Sequence, residues 1–406
     1  MTASAAARPH ILVLTTTLPA REGDGTPAFV LDLAQALSAD NDITILAPRV
    51  PESAAHEHIG NVEIKRFPYF PMRFEGLADG AIMPNLQAEP WRVVEVPALL
   101  GAFLAAAVRE SRRARPDLVH AHWVLPGGVV ALALHRLFGV PYIVTAHAAD
   151  IFRLRTRPLP ALKRRIVARA AFVLPVSAEG AEILGLPPDE AGRCVVPMGV
   201  DVDRISGEVG ERASEKGRFL FVGRLVEKKG LDVLLRALAD VPDGQLVVVG
   251  DGPMRGKLEE LGRELGLAGR VSFAGRQGSG RVADELRRAH ALVIPSRIAR
   301  DGDADGTPVV MAEGMAAGVP VIASRLGGLS EHIASEETGL LVQPDDSPAL
   351  AEALRRVLAH PEEASTWAEA AQAHARESLD VAVTARRYQE LIEVSLRRSG
   401  ATSSRR

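Results

Sequence analysis

The chain has 406 residues, 47% of them apolar and 24% charged, which is enough to bury a sizeable core and excludes a disordered or collagen-like protein. Basic and acidic residues number 48 and 51, a formal net charge of −3, so no overall basic field points to nucleic acid. At about 100–200 residues per domain, the length predicts two domains or three.

Short apolar runs alternate with helical periodicity from the start. Strands are predicted at residues 10–14, 43–47, 118–120, 142–146 and 172–176, then at 219–222, 246–250, 271–273, 291–295 and 321–323. Helices such as Phe29–Leu37 and residues 231–238 lie between them. Alternation of this kind gives an α/β fold with parallel sheets covered on both faces. The series runs twice. The break between the runs is a Gly-, Glu-, Asp- and Ser-rich stretch, residues 201–217, read as a linker. Two such domains leave a cleft between the carboxyl ends of their strands, where ligands sit. From Glu362 to Leu396 the pattern is helical only, a tail that must dock on one of the domains.

The uncharged run at residues 96–108 is too short to cross a bilayer, and residues 1–10 lack the apolar stretch of a secretory signal. The single cysteine, Cys194, cannot close an internal disulfide or a cysteine-rich zinc site. These features together predict a cytoplasmic protein, soluble or peripheral to the inner face of a membrane. From Arg153 to Arg169 there are basic residues and no acid, which reads as a solvated helix face or as a docking face for anionic lipid. Residues 67–74 gather Phe67, Tyr69, Phe70 and Phe74 among prolines, a loop suited to cap the core or to meet an acceptor or a membrane.

Several strand ends carry chemistry. In Phe221-Val-Gly-Arg-Leu-Val-Glu-Lys-Lys-Gly230, Gly223 permits close backbone approach, and Arg224 and Lys229 are two fixed cations suited to a departing diphosphate. Val249-Gly-Asp-Gly-Pro253 is a second glycine-rich turn. Asp301-Gly-Asp-Ala-Asp-Gly306 begins like a calcium loop, but the twelfth position is Ala312 and the preceding segment is a strand, so no metal is assigned to it. Instead Asp305 and Glu313 flank a helix start, with Thr307 as N-cap and Pro308 in the first turn, so that the N–H groups of Val309 and Val310 offer an anion site. Two carboxylates there suit hydroxyl recognition, one on a sugar and one on a ribose. His120 and His122 read as packing residues, whereas His147 ends a strand on the cleft side. Gly23-Asp-Gly-Thr-Pro27 is a glycine loop facing the cleft without the dinucleotide fingerprint.

Taken in order, these segments resemble the retaining, nucleotide-sugar-dependent glycosyltransferases of the GT-B fold, family 4. The resemblance rests on Asp117-Leu-Val-His-Ala-His-Trp123, Val144-Thr-Ala-His147 with Asp150, Val195-Val-Pro-Met-Gly-Val-Asp201 and the Gly223, Gly250 and Asp305 segments just described. It extends through Val271-Ser-Phe-Ala-Gly275, Pro295-Ser296, and Gly318-Val-Pro-Val-Ile-Ala323 with Gly327, Gly328 and Glu331. It implies two Rossmann-like domains, residues 1–200 on the acceptor side and 201–382 on the nucleotide-sugar side, with a C-terminal helix at 383–398 docking back on the first. By the same resemblance Arg224 and Lys229 hold the donor diphosphate, Glu313 the ribose, and Asp305 with the backbone of Gly306, Thr307, Pro308, Val309 and Val310 the transferred sugar and phosphate. Arg276 lies near the base, His147 near the sugar, and Gly23 or Gly25 near the phosphate. The activity implied is metal-independent transfer of a hexosyl group, with retention, to a hydroxyl acceptor such as a lipid-linked or polysaccharide precursor. The nucleotide sugar is the donor substrate, and no cofactor is implied. A sugar-nucleotide epimerase or a non-catalytic nucleotide-sugar-binding partner on the same scaffold are the alternatives. Asp305 where the family has Glu, Ala148 in the His-Gly-x-Asp pattern and Met198 where Asn is usual are departures on the sugar and acceptor side.

Overall fold

Runs rich in Val, Ile and Leu, buried on both faces, build two parallel sheets. The computed structural model describes residues 8–21, 23–80, 82–147, 151, 159–186 and 195–400. The first sheet holds β1 (His10–Leu14), β2 (Asp42–Pro48), β3 (His56–Ile59), β4 (Val62–Phe67), β5 (Leu118–His122), β6 (Tyr142–Ala146) and β7 (Phe172–Pro175). Its order is β3-β4-β2-β1-β5-β6-β7, with β3 antiparallel to β4 and the other pairs parallel. Around it lie α1 (Phe29–Leu37), α2 (Ile82–Ala88), α3 (Glu95–Ala114), α4 (Gly128–Phe138), α5 (Leu159–Val167) and α6 (Ala178–Ile183).

The second half opens with α7 (Val202–Val209) and continues through β8 (Arg218–Val222), α8 (Leu231–Ala239), β9 (Gln245–Val249), α9 (Arg255–Glu264), β10 (Val271–Gly275) and α10 (Ser279–Arg288). Then come β11 (Ala291–Ile294), α11 (Val309–Ala316), β12 (Val321–Ser324), α12 (Gly327–His332), β13 (Leu340–Val342), α13 (Ser347–Ala359), α14 (Pro361–His374) and α15 (Val381–Ser399). The sheet order is β10-β9-β8-β11-β12-β13, all parallel. In both sheets the strand order reverses beside the first strand of the run, between β1 and β5 and between β8 and β11. These are the switch points at which α/β sheets bind ligands.

Each sheet is covered twice. In the first, Leu33 and Leu37 of α1 share a core with Tyr388, Ile392 and Leu396 of α15, while Leu99 and Phe103 of α3 and Leu134 of α4 fill the opposite face. The chain therefore crosses between its halves twice, side by side: the Val200 N–H donates to Leu379 O at 2.9 Å and the Val381 N–H to Val200 O at 2.8 Å. Asp380 caps α15 by accepting from the Ala382 N–H. The helix is then pinned by the Tyr388 hydroxyl at 2.8 Å from Thr145 Oγ1 and by Asn41 Nδ2 donating to Gln389 Oε1 at 2.7 Å.

Three expectations need correction. The stretch at 201–217 is a linker only in part: α7 buries Val202, Ile205 and Val209 in the second core, and the Gly- and Glu-containing residues 210–217 that follow form neither helix nor strand. The pattern at 96–108 understates α3, because the helical stretch from Pro90 to Ala114 is long and apolar enough to span a bilayer by length and composition. Its inward residues Leu99, Phe103, Ala106 and Ala107 cover the sheet. Strands β3 and β4 escaped the sequence reading because polar residues alternate with apolar ones at that edge of the first sheet, and β13 because it has only 3 residues.

Tyr388 is fully buried at the α15 contact. Tyr388→Ala is expected to destabilise the protein by about 3–5 kcal/mol and Tyr388→Phe by about 1 kcal/mol, read by urea unfolding. An alanine variant as stable as the wild type would show that α15 is not needed to complete the first domain.

Candidate functional site

The second sheet brings cations to its carboxyl ends. Past β8, Arg224 and the turn carrying Lys228 and Lys229 face the loop after β11. Gly230 makes this approach possible: at φ +64° it sits so close to Pro295 that a Cβ would lie 1.8 Å from the carbonyl oxygen. The stem of Lys229 passes over Gly223, where a Cβ would lie 3.7 Å from it, an ordinary contact distance.

Lys229 Nζ then lies 2.8 Å from Asp305 Oδ2, Lys228 Nζ lies 3.5 Å from Oδ1, and the Ser296 hydroxyl donates to Oδ2 at 2.8 Å. Burial alone would push the Asp305 carboxyl up, but the two ammonium groups and these hydrogen bonds outweigh it and hold the group at about 2. Asp303 is also occupied, by Lys228 Nζ at 3.2 Å. Lys228 and Lys229 are thus the ion-pair partners of Asp303 and Asp305 in this loop. Among the described residues, His56, His58 and Glu63 do bring possible ligand atoms within 4.8 Å of one another, but on the β3–β4 hairpin and not in the cleft.

The helix start after Asp305 differs from expectation. Pro308 is the residue before α11, and Thr307 does not cap it: its hydroxyl donates to Val176 O of the first half at 2.6 Å. Val310 is buried and Val309 half-buried, and both contribute N–H groups to the first turn, where no intrahelical acceptor exists. Glu313, one turn on, faces Arg204, Asp32 and Glu208. Burial raises its carboxyl to about 7, with Asp32 and Glu208 adding to the rise and Arg204 opposing it. Asp32 of α1 is itself raised to about 6, chiefly by burial. Two carboxyl groups that resist ionisation therefore meet where α1, α7 and α11 converge.

The first sheet supplies a neutral counterpart. His147 follows β6, with Nε2 3.2 Å from Nδ1 of His122 and its ring 4.5 Å from that of Trp123. His120 Nε2 lies 2.8 Å from Thr145 Oγ1, which is also bonded to Tyr388. Burial lowers His147 and His120 to about 3 and His122 well below its ordinary value, so all three are uncharged at neutral pH. His120 and His122 are thus packed: hydrogen bonds run from Tyr388 through Thr145 to His120 and from His122 to His147, and the His120 and His122 rings are in contact with centroids 4.3 Å apart. Asp150 and Cys194 lie outside the described residues, as do residues 152–158 of the basic stretch. Of the remainder, Arg164, Arg165 and Arg169 are exposed and Lys163 is buried.

The two halves meet around these groups. Gly25, at φ +77°, lies against Arg276, where a Cβ would come within 2.6 Å of the arginine stem, and Gly23 packs on Gly278. The Ala178 N–H donates to Glu331 Oε1 at 2.8 Å. Arg224 Nη2 donates to Asn85 Oδ1 at 3.0 Å, and the Asn85 amide in turn holds the carbonyls of Gly76, Leu77 and Asp79. Burial and nearby Arg276 both disfavour the Arg224 charge, while Asp79 favours it. Contacts thus bring Gly25 to Arg276, Gly23 to Gly278 and Asn85 to Arg224 across the two halves, and Lys229 to Asp305 within the second, while His147 packs on His122, Trp123 and Phe29 of the first. Asn85, Lys228 and Asp32 were not singled out in the sequence. Lys228 adjoins Lys229 and was within reach, but no local signal marks Asn85 or Asp32, whose partners lie far along the chain.

The family model described as glycosyltransferase family 4 matches residues 23–204, and that described as glycosyl transferases group 1 matches residues 204–374. A D-inositol 3-phosphate glycosyltransferase of Actinosynnema mirum is 33% identical over 337 residues, covering 74% of this chain and 79% of that protein. The 2-deoxystreptamine glucosyltransferase of Streptomyces kanamyceticus is 31% identical, covering 69% and 78%. Among solved structures, sucrose-phosphate synthase from Thermosynechococcus elongatus is similar with a TM-score of 0.78 at 24% identity, over 98% of this chain and 100% of that one. Anabaena HepE in complex with UDP-glucose is similar with a TM-score of 0.71 at 19% identity, over 95% and 99%. Two Rossmann-like sheets facing across a cleft, a returning C-terminal helix and these matches together place the chain in the glycosyltransferases of family 4, with the GT-B fold.

Proposed function

We propose that the protein transfers a hexosyl group from a nucleotide diphosphate sugar to a hydroxyl acceptor, with retention at the anomeric carbon. The observation that carries this reading is Lys229 paired with an ionised Asp305 just before the first turn of α11, with Arg224 on the same turn after β8 as Lys229. A diphosphate held there would meet two side-chain cations and free backbone N–H groups, which stabilise the charge that grows as the sugar leaves. Lys229 need not abandon Asp305 to do so, because an ammonium carries three donors. These residues supply positive charge without a metal ion, and no cofactor enters the scheme.

In this reading Asp305 and the backbone of Gly306 to Val310 bind the sugar and its phosphate, Glu313 the ribose, and Arg276 the neighbourhood of the base. Gly23 and Gly25 leave room for the phosphate. His147, neutral and fixed by His122, would present its remaining ring nitrogen to a sugar hydroxyl. The sugar departs with oxocarbenium character, and the acceptor attacks from the same face as the leaving diphosphate. The description of HepE with bound UDP-glucose is in keeping with a nucleotide sugar donor. For the acceptor we favour a lipid-linked or polysaccharide precursor at the cytoplasmic face of a membrane, with the basic stretch from Arg153 to Arg169 near the lipid headgroups. Exposed Arg164, Arg165 and Arg169 support that placement.

Two predictions test the donor assignments. Ribose hydroxyls donate to a carboxylate, so Glu313 must lose its proton, held at about 7, for the donor to bind. The protonated form dominates below that value, and affinity is lost as pH falls. Calorimetry with a nucleotide sugar, whose diphosphate does not titrate in this range, should show binding about tenfold tighter at pH 8 than at pH 6. Glu313→Gln should flatten this profile and weaken binding at pH 8 about 10- to 100-fold, as loss of a charged hydrogen bond implies. Asp32→Asn serves as a control for the neighbouring carboxyl. A flat wild-type profile would remove Glu313 from the ribose site.

Asp305→Asn is expected to cut kcat/KM tenfold or more while a nucleoside diphosphate alone binds at least as well, since Lys229 is released. Asp305→Glu should also be harmful, because the enclosure by Lys228, Lys229 and Ser296 fits the shorter side chain. Full turnover by Asp305→Asn on the preferred donor would show that Asp305 does not touch the sugar.

A further inference from the structure

Residues 67–95 form a compact insertion between β4 and α3, and its charges are sorted. Glu75 is buried, accepting from the N–H groups of Tyr69 and Phe70 and from Arg49 Nε at 2.7 Å. Glu95 is fully buried, accepting from the N–H groups of Gly76 and Leu77 and from Arg92 at 2.8 Å. Asn85 closes the same turn and reaches Arg224. Phe67, Tyr69 and Leu77 enter the core of the first half.

The outer surface of the insertion is the reverse. Met72, Phe74, Trp91, Val93, Val94 and Val96 are all exposed, from 38% for Val96 to 71% for Met72. The two segments that carry them meet: the Phe74 and Trp91 rings lie 6.5 Å apart, edge to face, and Arg92 Nη1 donates to Phe74 O. The guanidinium groups of Arg73 and Arg92 lie over the Phe74 and Trp91 rings at 4.7 and 4.8 Å. Glu89 is exposed on this rim and shares Arg92, at 3.2 Å, with buried Glu95, at 2.8 Å. Along α3 the rim continues as a row of half-buried apolar residues four apart, Leu100, Leu104 and Val108, before reaching Arg109, Arg112 and Arg113. From Val96 to Val108 this uncharged row is about 18 Å long at 1.5 Å per residue. An aromatic and aliphatic rim with arginines and inward-turned acids matches an anionic bilayer surface, where Trp settles at headgroup level and apolar side chains insert shallowly.

We propose that this outer rim of the 67–95 insertion is a membrane-docking surface that inserts into the interface of an anionic bilayer, while the inner end of the same insertion, through Asn85, meets Arg224 at the donor site. The geometry then delivers a lipid-borne hydroxyl acceptor directly beside the sugar. This rests on the lipid-linked acceptor favoured above, and it adds an exposed apolar surface to the basic stretch from Arg153 to Arg169.

The test uses the full chain and extruded vesicles of phosphatidylcholine, with or without phosphatidylglycerol, read by co-sedimentation. The wild type should partition onto anionic vesicles at least tenfold more strongly than onto neutral ones. A fraction of that binding should survive high salt, because apolar insertion is not screened. The combined variant Phe74→Ser, Trp91→Ser, Val93→Ser and Val94→Ser should bind anionic vesicles at least tenfold less and lose the salt-resistant fraction. Arg164→Ala with Arg165→Ala should lower only the salt-sensitive part. Circular dichroism and slow acceptor-free release of nucleoside diphosphate from a nucleotide sugar should be the same in the wild type and the four-serine variant. Equal vesicle binding by wild type and the four-serine variant, or no binding by either, overturns the proposal. So does a wild-type dimer in light scattering that the variant converts to monomers, since a second copy would then cover the rim. Absence of donor turnover in the wild type counts against the transferase reading and leaves the docking result to stand by itself.

Discussion

Asp305 carries a negative charge out of water, and the surrounding structure answers it with two ammonium groups and a hydroxyl. A buried carboxylate without such partners would take up a proton or destabilise the fold. Because the lysines come from the turn after β8 and the carboxylate from the loop after β11, this one cluster ties together the two strands at the switch point of the second sheet. Its formation depends on the contact of Gly230 with Pro295, which no residue with a side chain could make without moving the backbone. The start of α11 follows a few residues on, so the position of that helix N-terminus derives from the same cluster.

The two halves divide the polar work. The second half brings fixed charge: Arg224, Lys228, Lys229, Arg276 and Asp305. The first brings groups that stay neutral, in the chain from Tyr388 through Thr145, His120 and His122 to His147. Neutral imidazoles pick out hydroxyls without competing for an anion, and fixed cations hold an anion without needing a particular sugar. Such a division suits a substrate with a charged middle and an uncharged, hydroxyl-rich end.

Much of the framework was readable in the sequence because its strands are buried on both faces, so their apolar runs are unbroken. β8, β9 and β11 were placed nearly to the residue for this reason. β3 and β4 were not, since His56, Glu57, His58, Glu63 and Lys65 give a half-exposed hairpin the composition of a loop. In the site, residues on strand-end turns were legible because Gly, Lys and Asp are uncommon immediately after an apolar run. What could not be read was pairing at a distance. Lys229 with Asp305, Thr307 with Val176 and Asn85 with Arg224 each join segments whose separation carries no periodic signal. The expected N-cap at Thr307 failed for the same reason: the hydroxyl was claimed by a carbonyl from the other half.

The returning helix has a consequence for the order in which the protein takes shape during synthesis. The first sheet emerges from the ribosome early, yet the face that receives Tyr388, Ile392 and Leu396 stays open until the last turns of α15 have been made. By then every strand of the second sheet is already out. The half begun first is therefore the half finished last, and a nascent chain stalled before residue 380 would expose the groove along α1 as a sticky, chaperone-accessible surface.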